Sequence, residues 1–400
     1  MGIKTLVDFY DLMFKTRDVR KEAVVRLFNN NNLKKHTVPD LKDALSILES
    51  IKKDSQGQYS LSLNEEKTIS LDISYEISEL KKDIFFLENS EDQFYAYLDK
   101  SNPGFLKEVE ETESKLKDIS FRNFITDRDG TINNYCGRYG SSIQSIYNAL
   151  FLSRFGSNSV ENAIILTSAP LDNIGLADVS TALDKVFIYA GSKGREYFDK
   201  EGRRQRYPIE TEKQAKLDSF NKRSKQLLDK PNYRIFSLIG SGLQLKFGQT
   251  TIARQDISRS IPERESNDFL ALISNIVSEL DPKSEFFRIE DTGTDIEVIL
   301  TVASKDANQE LKDFDKADAV NFLNTSIGLN LKRGPNLICG DTNSDIPMVS
   351  ASKKECEDTW AIFVGSNAEL RDKVKQSSSQ SLFVSKPDVL VAVLNNLGKR

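Results

Sequence analysis

Two aspartates separated by one residue, in Phe124-Ile125-Thr126-Asp127-Arg128-Asp129-Gly130-Thr131, are the first residues in this sequence whose spacing could do chemistry. Following a short apolar run, Asp127 and Asp129 can both leave a strand end facing one space, and Gly130 permits the tight turn that keeps them there. A calcium loop also uses Asp-x-Asp, but it requires Gly at its sixth position and Glu at its twelfth. Here Gly comes fourth and a strand precedes, so that reading fails. Two later apolar runs end in a similar way. Ile164-Ile165-Leu166-Thr167 ends in a hydroxyl, a weak signal alone because strand ends often carry Thr or Ser as caps. Ile338-Cys339-Gly340-Asp341-Thr342-Asn343-Ser344-Asp345 presents two more carboxylates, and Ile346 at the glycine position rules out a calcium loop there too. In an α/β sheet, ligands bind beyond the carboxyl ends of the strands, where these groups would converge.

Composition narrows the chemistry further. The chain has one histidine, His36, expected to be a solvated loop residue just before a helix. A Ser-His-Asp triad, a Cys-His pair and a multi-histidine metal site are therefore excluded, leaving acid–base work to carboxylates, lysines or tyrosines. Cys136, Cys339 and Cys356 are odd in number and widely spaced, fitting neither a zinc pattern nor a disulfide framework. A formal charge of −5 argues against general nucleic-acid binding. No apolar run approaches the roughly 20 residues of a membrane span, and the first residues lack a signal-peptide core and a myristoylation serine or threonine. A cytoplasmic protein is expected, with no membrane and no nucleic-acid partner.

Four hundred residues exceed one ordinary core, so two or three domains are expected. Residues 1–118 predict helices: Leu6, Phe9, Tyr10, Met13 and Phe14 form one stripe, Leu41, Ala44, Leu45 and Leu48 a second, Ile77, Leu80, Ile84 and Leu87 a third. A fourth helix is predicted from Phe105 towards Leu116, and Asp54 to Asn64 reads as a polar linker. None of these helices carries a cluster of catalytic residue types, so a truncated chain starting near Lys117 is expected to fold alone. From Phe121 the pattern changes to buried strands at Phe124-Ile125, Ala163 to Leu166, Val186 to Tyr189, Leu337 to Cys339 and Ala361 to Val364, separated by helices. That is the grammar of a parallel α/β sheet. Residues 205–305 differ again, with strands predicted at Arg234 to Ile239, Leu243 to Phe247, Phe286 to Ile289 and Ile296 to Val302, and a helix at Asp268 to Leu280. The predicted architecture is an α/β core over 119–204 and 306–400, an inserted α+β module over 205–305 and an N-terminal helical domain.

Strand-Asp-x-Asp-Gly-Thr, strand-Thr and strand-Gly-Asp-x-x-x-Asp, in that order, resemble the haloacid dehalogenase superfamily over about residues 121–400. The superfamily's lysine has a counterpart in Phe314-Asp315-Lys316-Ala317, although Gly more often follows that lysine. Ala190-Gly191-Ser192-Lys193-Gly194-Arg195-Glu196 is similar to the Gly-x-His-Gly-x-Glu segment of trehalose-6-phosphate phosphatases, with Lys193 in place of the histidine. Ile239 to Lys246, Ile338 to Val349 and Val7 to Met13 resemble the nematode-type branch.

This resemblance implies a Rossmannoid core with a cap and a magnesium-dependent reaction. Asp127 would be nucleophile and metal ligand, Asp129 acid and base with a backbone metal contact, and Thr167 and Lys316 the phosphoryl holders. Asp341 would complete the Mg2+ site, with Asp345 as ligand or orienter. The inserted module would be the cap, and Glu196, Gln244, Lys246 and Glu297 would touch sugar hydroxyls, with Arg254 and Arg138 as further candidates. The substrate implied is trehalose 6-phosphate. Sucrose phosphate, a glycosyl-glycerol phosphate or a phosphomutase reaction are the alternatives, and the intact set of Asp127, Asp129, Lys316 and Asp341 argues against a non-enzymatic scaffold. The N-terminal helices, similar to small interaction bundles, would serve a protein partner or self-association.

Overall fold

A computed structural model describes residues 3–55, 57–62, 68–303 and 311–399. Helix α1 (Leu6–Phe28) begins at a capping box: Asp8 N–H donates to Thr5 Oγ1 and Thr5 N–H to Asp8 Oδ2, at 3.1 and 3.0 Å. It buries Leu6, Phe9 and Met13, as the stripe predicts. Helix α2 (Thr37–Glu49) follows, with the exposed His36 at its N-cap. The predicted linker is instead the start of an antiparallel hairpin, β1 (Tyr59–Ser62) with β2 (Thr68–Leu71). Leu61, Ile69 and Leu71 point inward from it, an alternation too short to stand out among polar neighbours; Asn64 lies outside the described residues. Helix α3 (Ser74–Glu88) carries the third stripe. Helix α4 (Glu91–Ser101), not predicted, buries Phe94 against Phe86 and Tyr147, and α5 (Phe105–Leu116) has its predicted bounds.

The core then starts with β3 (Asn123–Thr126), α6 (Ile146–Asn158), β4 (Asn162–Leu166), the short α7 (Leu176–Val179), β5 (Phe187–Gly191), β6 (Glu196–Phe198) and β7 (Arg204–Arg206). The inserted module follows: α8 (Thr211–Leu228), β8 (Leu243–Lys246), β9 (Gln249–Ala253), α9 (Glu263–Leu280), β10 (Phe287–Asp291), β11 (Asp295–Leu300) and the small pair β12 (Val302–Ala303) and β13 (Leu311–Lys312). The chain returns to the core with α10 (Lys316–Ile327), β14 (Asn336–Gly340), α11 (Ile346–Glu355), β15 (Thr359–Val364), α12 (Ala368–Ser377), β16 (Ser381–Val384) and α13 (Pro387–Gly398).

Eight strands form the main sheet in the order β16-β15-β14-β3-β4-β5-β6-β7, parallel from β16 to β5 and antiparallel beyond. Alternation along β3 sends Phe124 to the face covered by α6 and α13, and Ile125 to the face covered by α10 and α11. The module's own sheet runs β10-β11-β9-β8. Arg234 to Ile239 is not a strand but a short 3-10 turn, Arg234–Ser237, because Phe236 lies flat on Phe269 of α9 with ring centroids 3.9 Å apart. Helix α8 and strand β9 are not marked by apolar periodicity. The first buries only Leu217, Phe220, Ser224 and Leu228, and the second buries polar residues such as Thr250 and Thr251.

The N-terminal helices share the core's hydrophobic cluster rather than standing apart from it. Helix α3 also buries charge. Asp83 accepts from Arg20 Nε at 2.6 Å and from the Ile146 N–H that opens α6 at 2.6 Å. Lys82 bridges Glu79 and Asp388, the latter at the start of α13. On the other side, Tyr10 of α1 donates its hydroxyl to the Leu238 carbonyl of the inserted module at 2.9 Å. Among the described residues, no helix is long and apolar enough to cross a membrane.

Candidate active site

Adjacent strands β3 and β14 pair in register with Thr126 opposite Cys339, so the segments after both strands emerge side by side. The Asp127 N–H donates to the Cys339 carbonyl at 3.0 Å, carrying the pairing one residue further. At Gly130, with φ +87°, an added Cβ would lie 2.2 Å from Asp341 Oδ2; only glycine permits that approach. Thr131 Oγ1 sits 3.3 Å from Asp127 Oδ2 and 3.1 Å from Asp341 Oδ1, a hydroxyl between two carboxylates.

Lys316 is the first residue of α10, whose N-cap Asp315 accepts from the Ala317 and Asp318 N–H groups at 2.8 and 3.0 Å. Its buried ammonium donates to Asp127 Oδ1 at 2.6 Å and Asp345 Oδ1 at 2.5 Å. The other oxygen of Asp345 accepts from the Asp341 and Thr342 N–H groups at 3.1 and 2.9 Å. Burial pushes the Asp127 carboxyl well above the usual range, opposed by Lys316 and reinforced by the charges of Asp345 and Asp341. Burial and the Asp345 charge also push Asp341 up to about 7. For Asp345, burial is outweighed by Lys316 and the two N–H donors, so it stays low and ionised. Lys316 is held above its usual value: its paired carboxylates outweigh its burial.

Asp127, Asp341 and Asp345 offer oxygens that lie within 4.8 Å of one another, an all-oxygen set rich in negative charge that suits a hard divalent cation. The side chain of Asp129 is not in this set. It accepts from Arg128 and, at 3.2 Å, from Ser142 Oγ.

A cleft of about 270 Å³ joins core and inserted module. Asp127, Asp129, Thr167, Lys316 and Asp341 line it from the core, and Gln244, Lys246 and Glu297 from the module. Burial pushes Lys246 down to about 8, with Lys193 lowering it further against the pull of Glu297. Lys193 reaches Glu297 across the two units at 3.9 Å. Glu196 stands outside the lining: its buried carboxylate accepts from Ser192 Oγ at 2.9 Å and from Arg204 Nε at 2.9 Å. Arg138 is buried against Glu76 at 2.9 Å, and Arg254 is taken by Asp291 at 2.8 Å, so neither guanidinium faces the cleft. Tyr135, Tyr139, Ser241, Thr251 and Asp295 also line it, and the motifs do not point to them. Ser241 lies within the Gly-Ser-Gly run of the Ile239 to Lys246 segment, a signal that could have found it, but nothing in the order of residues marks the two tyrosines.

Aspartates at the carboxyl ends of central parallel strands, faced by an inserted α+β module, give the molecule a haloacid-dehalogenase-like α/β fold. The model for the C-terminal part of trehalose-6-phosphate phosphatase matches residues 124–390, and that for the family's N-terminal helical bundle domain matches residues 5–104. The chain belongs to the trehalose-6-phosphate phosphatase family. It is 31% identical to a trehalose-phosphatase of Brugia malayi over 99% of this chain and 86% of the relative. It is 32% identical to an alpha,alpha-trehalose-phosphate synthase [UDP-forming] 2 of Caenorhabditis elegans over 98% of this chain, but spans only 33% of that protein. Among solved structures, the C-terminal domain of a C. albicans trehalose-6-phosphate phosphatase overlays with a TM-score of 0.45 at 14% identity, covering 73% of this chain and 96% of that one.

Proposed function

We propose that the chain hydrolyses trehalose 6-phosphate to trehalose and inorganic phosphate through a phosphorylated Asp127. The observation that carries this reading is the cleft itself, where a buried Asp127–Lys316 pair and six polar residues of the inserted module, Gln244, Lys246 and Glu297 among them, line one space. A carboxylate oxygen of Asp127 attacks phosphorus as the bond from phosphorus to the sugar oxygen breaks. Asp129 delivers a proton to that leaving oxygen. Asp129 then takes a proton from water, whose oxygen attacks the phosphorylated Asp127 and releases phosphate. Lys316 and the Thr167 hydroxyl hold the phosphoryl oxygens as their charge shifts.

Asp127, Asp341 and Asp345, with the backbone of Asp129, would hold Mg2+. When bound, the cation supplies charge neutralisation that lets a carboxylate approach a phosphate dianion. Gln244, Lys246 and Glu297 are the residues we assign to the sugar hydroxyls; Glu196 instead braces the turn at Ser192.

Phosphate release is the test, measured over trehalose 6-phosphate, sucrose phosphate and a glycosyl-glycerol phosphate, with and without magnesium. Magnesium-dependent release with preference for trehalose 6-phosphate is expected. A preference for sucrose phosphate overturns the substrate assignment, and full turnover by Asp127→Asn overturns the mechanism.

A further inference from the structure

Arg128 and the loop from Asn133 to Ser142 together hold the side chain of Asp129, and that loop is fastened to a helix outside the catalytic core. Ser142 Oγ donates to Asp129 Oδ1 at 3.2 Å and accepts from Asn133 Nδ2 at 3.2 Å and Arg128 Nη1 at 3.0 Å. Asn133 Nδ2 also donates to the hydroxyl of Tyr75, 3.0 Å away in the first turn of α3. That hydroxyl in turn points at the carbonyl of Ile143, the residue after Ser142, at 3.4 Å. The next helical residue supplies a second anchor. Glu76, fully buried, accepts from Arg138 Nη2 at 2.9 Å and from Ser141 Oγ at 2.5 Å.

Two consecutive residues of one helix thus pin both ends of the stretch that orients Asp129. A carboxylate that passes a proton to a leaving oxygen must be held at hydrogen-bond reach, and small displacements are costly. We propose that Tyr75, acting through Asn133 and Ser142, is a positioning residue for the proton-transfer step, which makes α3 part of the catalytic apparatus. This rests on the acid–base reading of Asp129 above.

The test compares two substrates on the full chain at saturating magnesium. Departure of the sugar oxygen needs a proton; departure of nitrophenolate does not. We therefore expect Tyr75→Phe and Ser142→Ala to lower kcat/KM for trehalose 6-phosphate by about tenfold, a fraction of the general-acid contribution, with little change for p-nitrophenyl phosphate. The double variant should be no worse than Ser142→Ala alone, because both act along one line. Equal losses on both substrates, no loss on either, or multiplying effects in the double variant would overturn the proposal. Asp129→Asn, measured alongside, separates the two levels: if it shows no such substrate selectivity, the acid–base role of Asp129 itself is wrong.

Discussion

Lys316 and Asp127, 189 residues apart in the chain, meet at 2.6 Å, and the same ammonium reaches Asp345 at 2.5 Å. One cation therefore keeps a buried group of carboxylates compatible. Lys316→Met should destabilise the metal-free protein by about 3–5 kcal/mol, the cost of leaving buried charge unpaired, and lower turnover about a hundredfold or more. Urea melts and initial rates check both. Unchanged stability would mean that the carboxylates take up protons and need no lysine.

Asp127→Asn should cost several orders of magnitude in turnover, each tenfold being about 1.4 kcal/mol of barrier. It should also leave no acid-stable, base-labile phosphate on the quenched protein, which labelled substrate would reveal in the parent chain.

Magnesium should raise the melting temperature of the parent chain, by about 2.7 kcal/mol of added stability at a hundred times its dissociation constant. Asp341→Asn should lose most of this effect. The Asp341 carboxyl lies up at about 7, so protons compete with the cation below that pH, and affinity should climb with pH until about 7. The sign for the metal-free protein is opposite. A carboxyl raised above its unfolded value contributes stability that is full below about pH 4 and lost as pH climbs through 7. Melting curves across pH, with and without magnesium, separate the two slopes.

Lys246→Ala and Glu297→Ala should lower kcat/KM for trehalose 6-phosphate by roughly tenfold to a thousandfold, or about 1.4–4 kcal/mol, and affect p-nitrophenyl phosphate far less. Lys246 has its own pH signature. Burial lowers its pKa to about 8, so its charge disappears above that pH and KM for the sugar phosphate should rise there, a rise absent in Lys246→Gln. In stability the sign reverses: the unfolded chain holds this proton more tightly, so the penalty for the buried charge is relieved as pH rises from 8 towards 10.5.

A truncated chain beginning near Lys117 should be unstable, contrary to the expectation from the helical stripes alone. The truncation would strip Glu76 from the buried Arg138, Asp83 from the start of α6 and Phe9 from the shared core. The first loss alone is worth about 3–5 kcal/mol. Soluble, cooperative unfolding of the truncated chain would refute this.

The sequence by itself determined the chemical ends of the central strands. Apolar runs closed by Asp127, Thr167 and Asp341 are local patterns, and parallel pairing of those strands is enough to gather them. Lys316 was legible for the same reason, sitting at a marked helix start. Tertiary packing decided the rest. Glu196, Arg138 and Arg254 read as cleft residues, yet each is drawn to a nearer opposite charge, because a buried charge pairs wherever the fold supplies a partner. Helix α3 reads as a packing or partner-binding helix, since its stripe says which face is buried but not what that face meets. Only the docking of α3 onto the Asn133–Ser142 loop brought Tyr75 to Asn133, 58 residues away, a contact that no periodicity within either segment encodes.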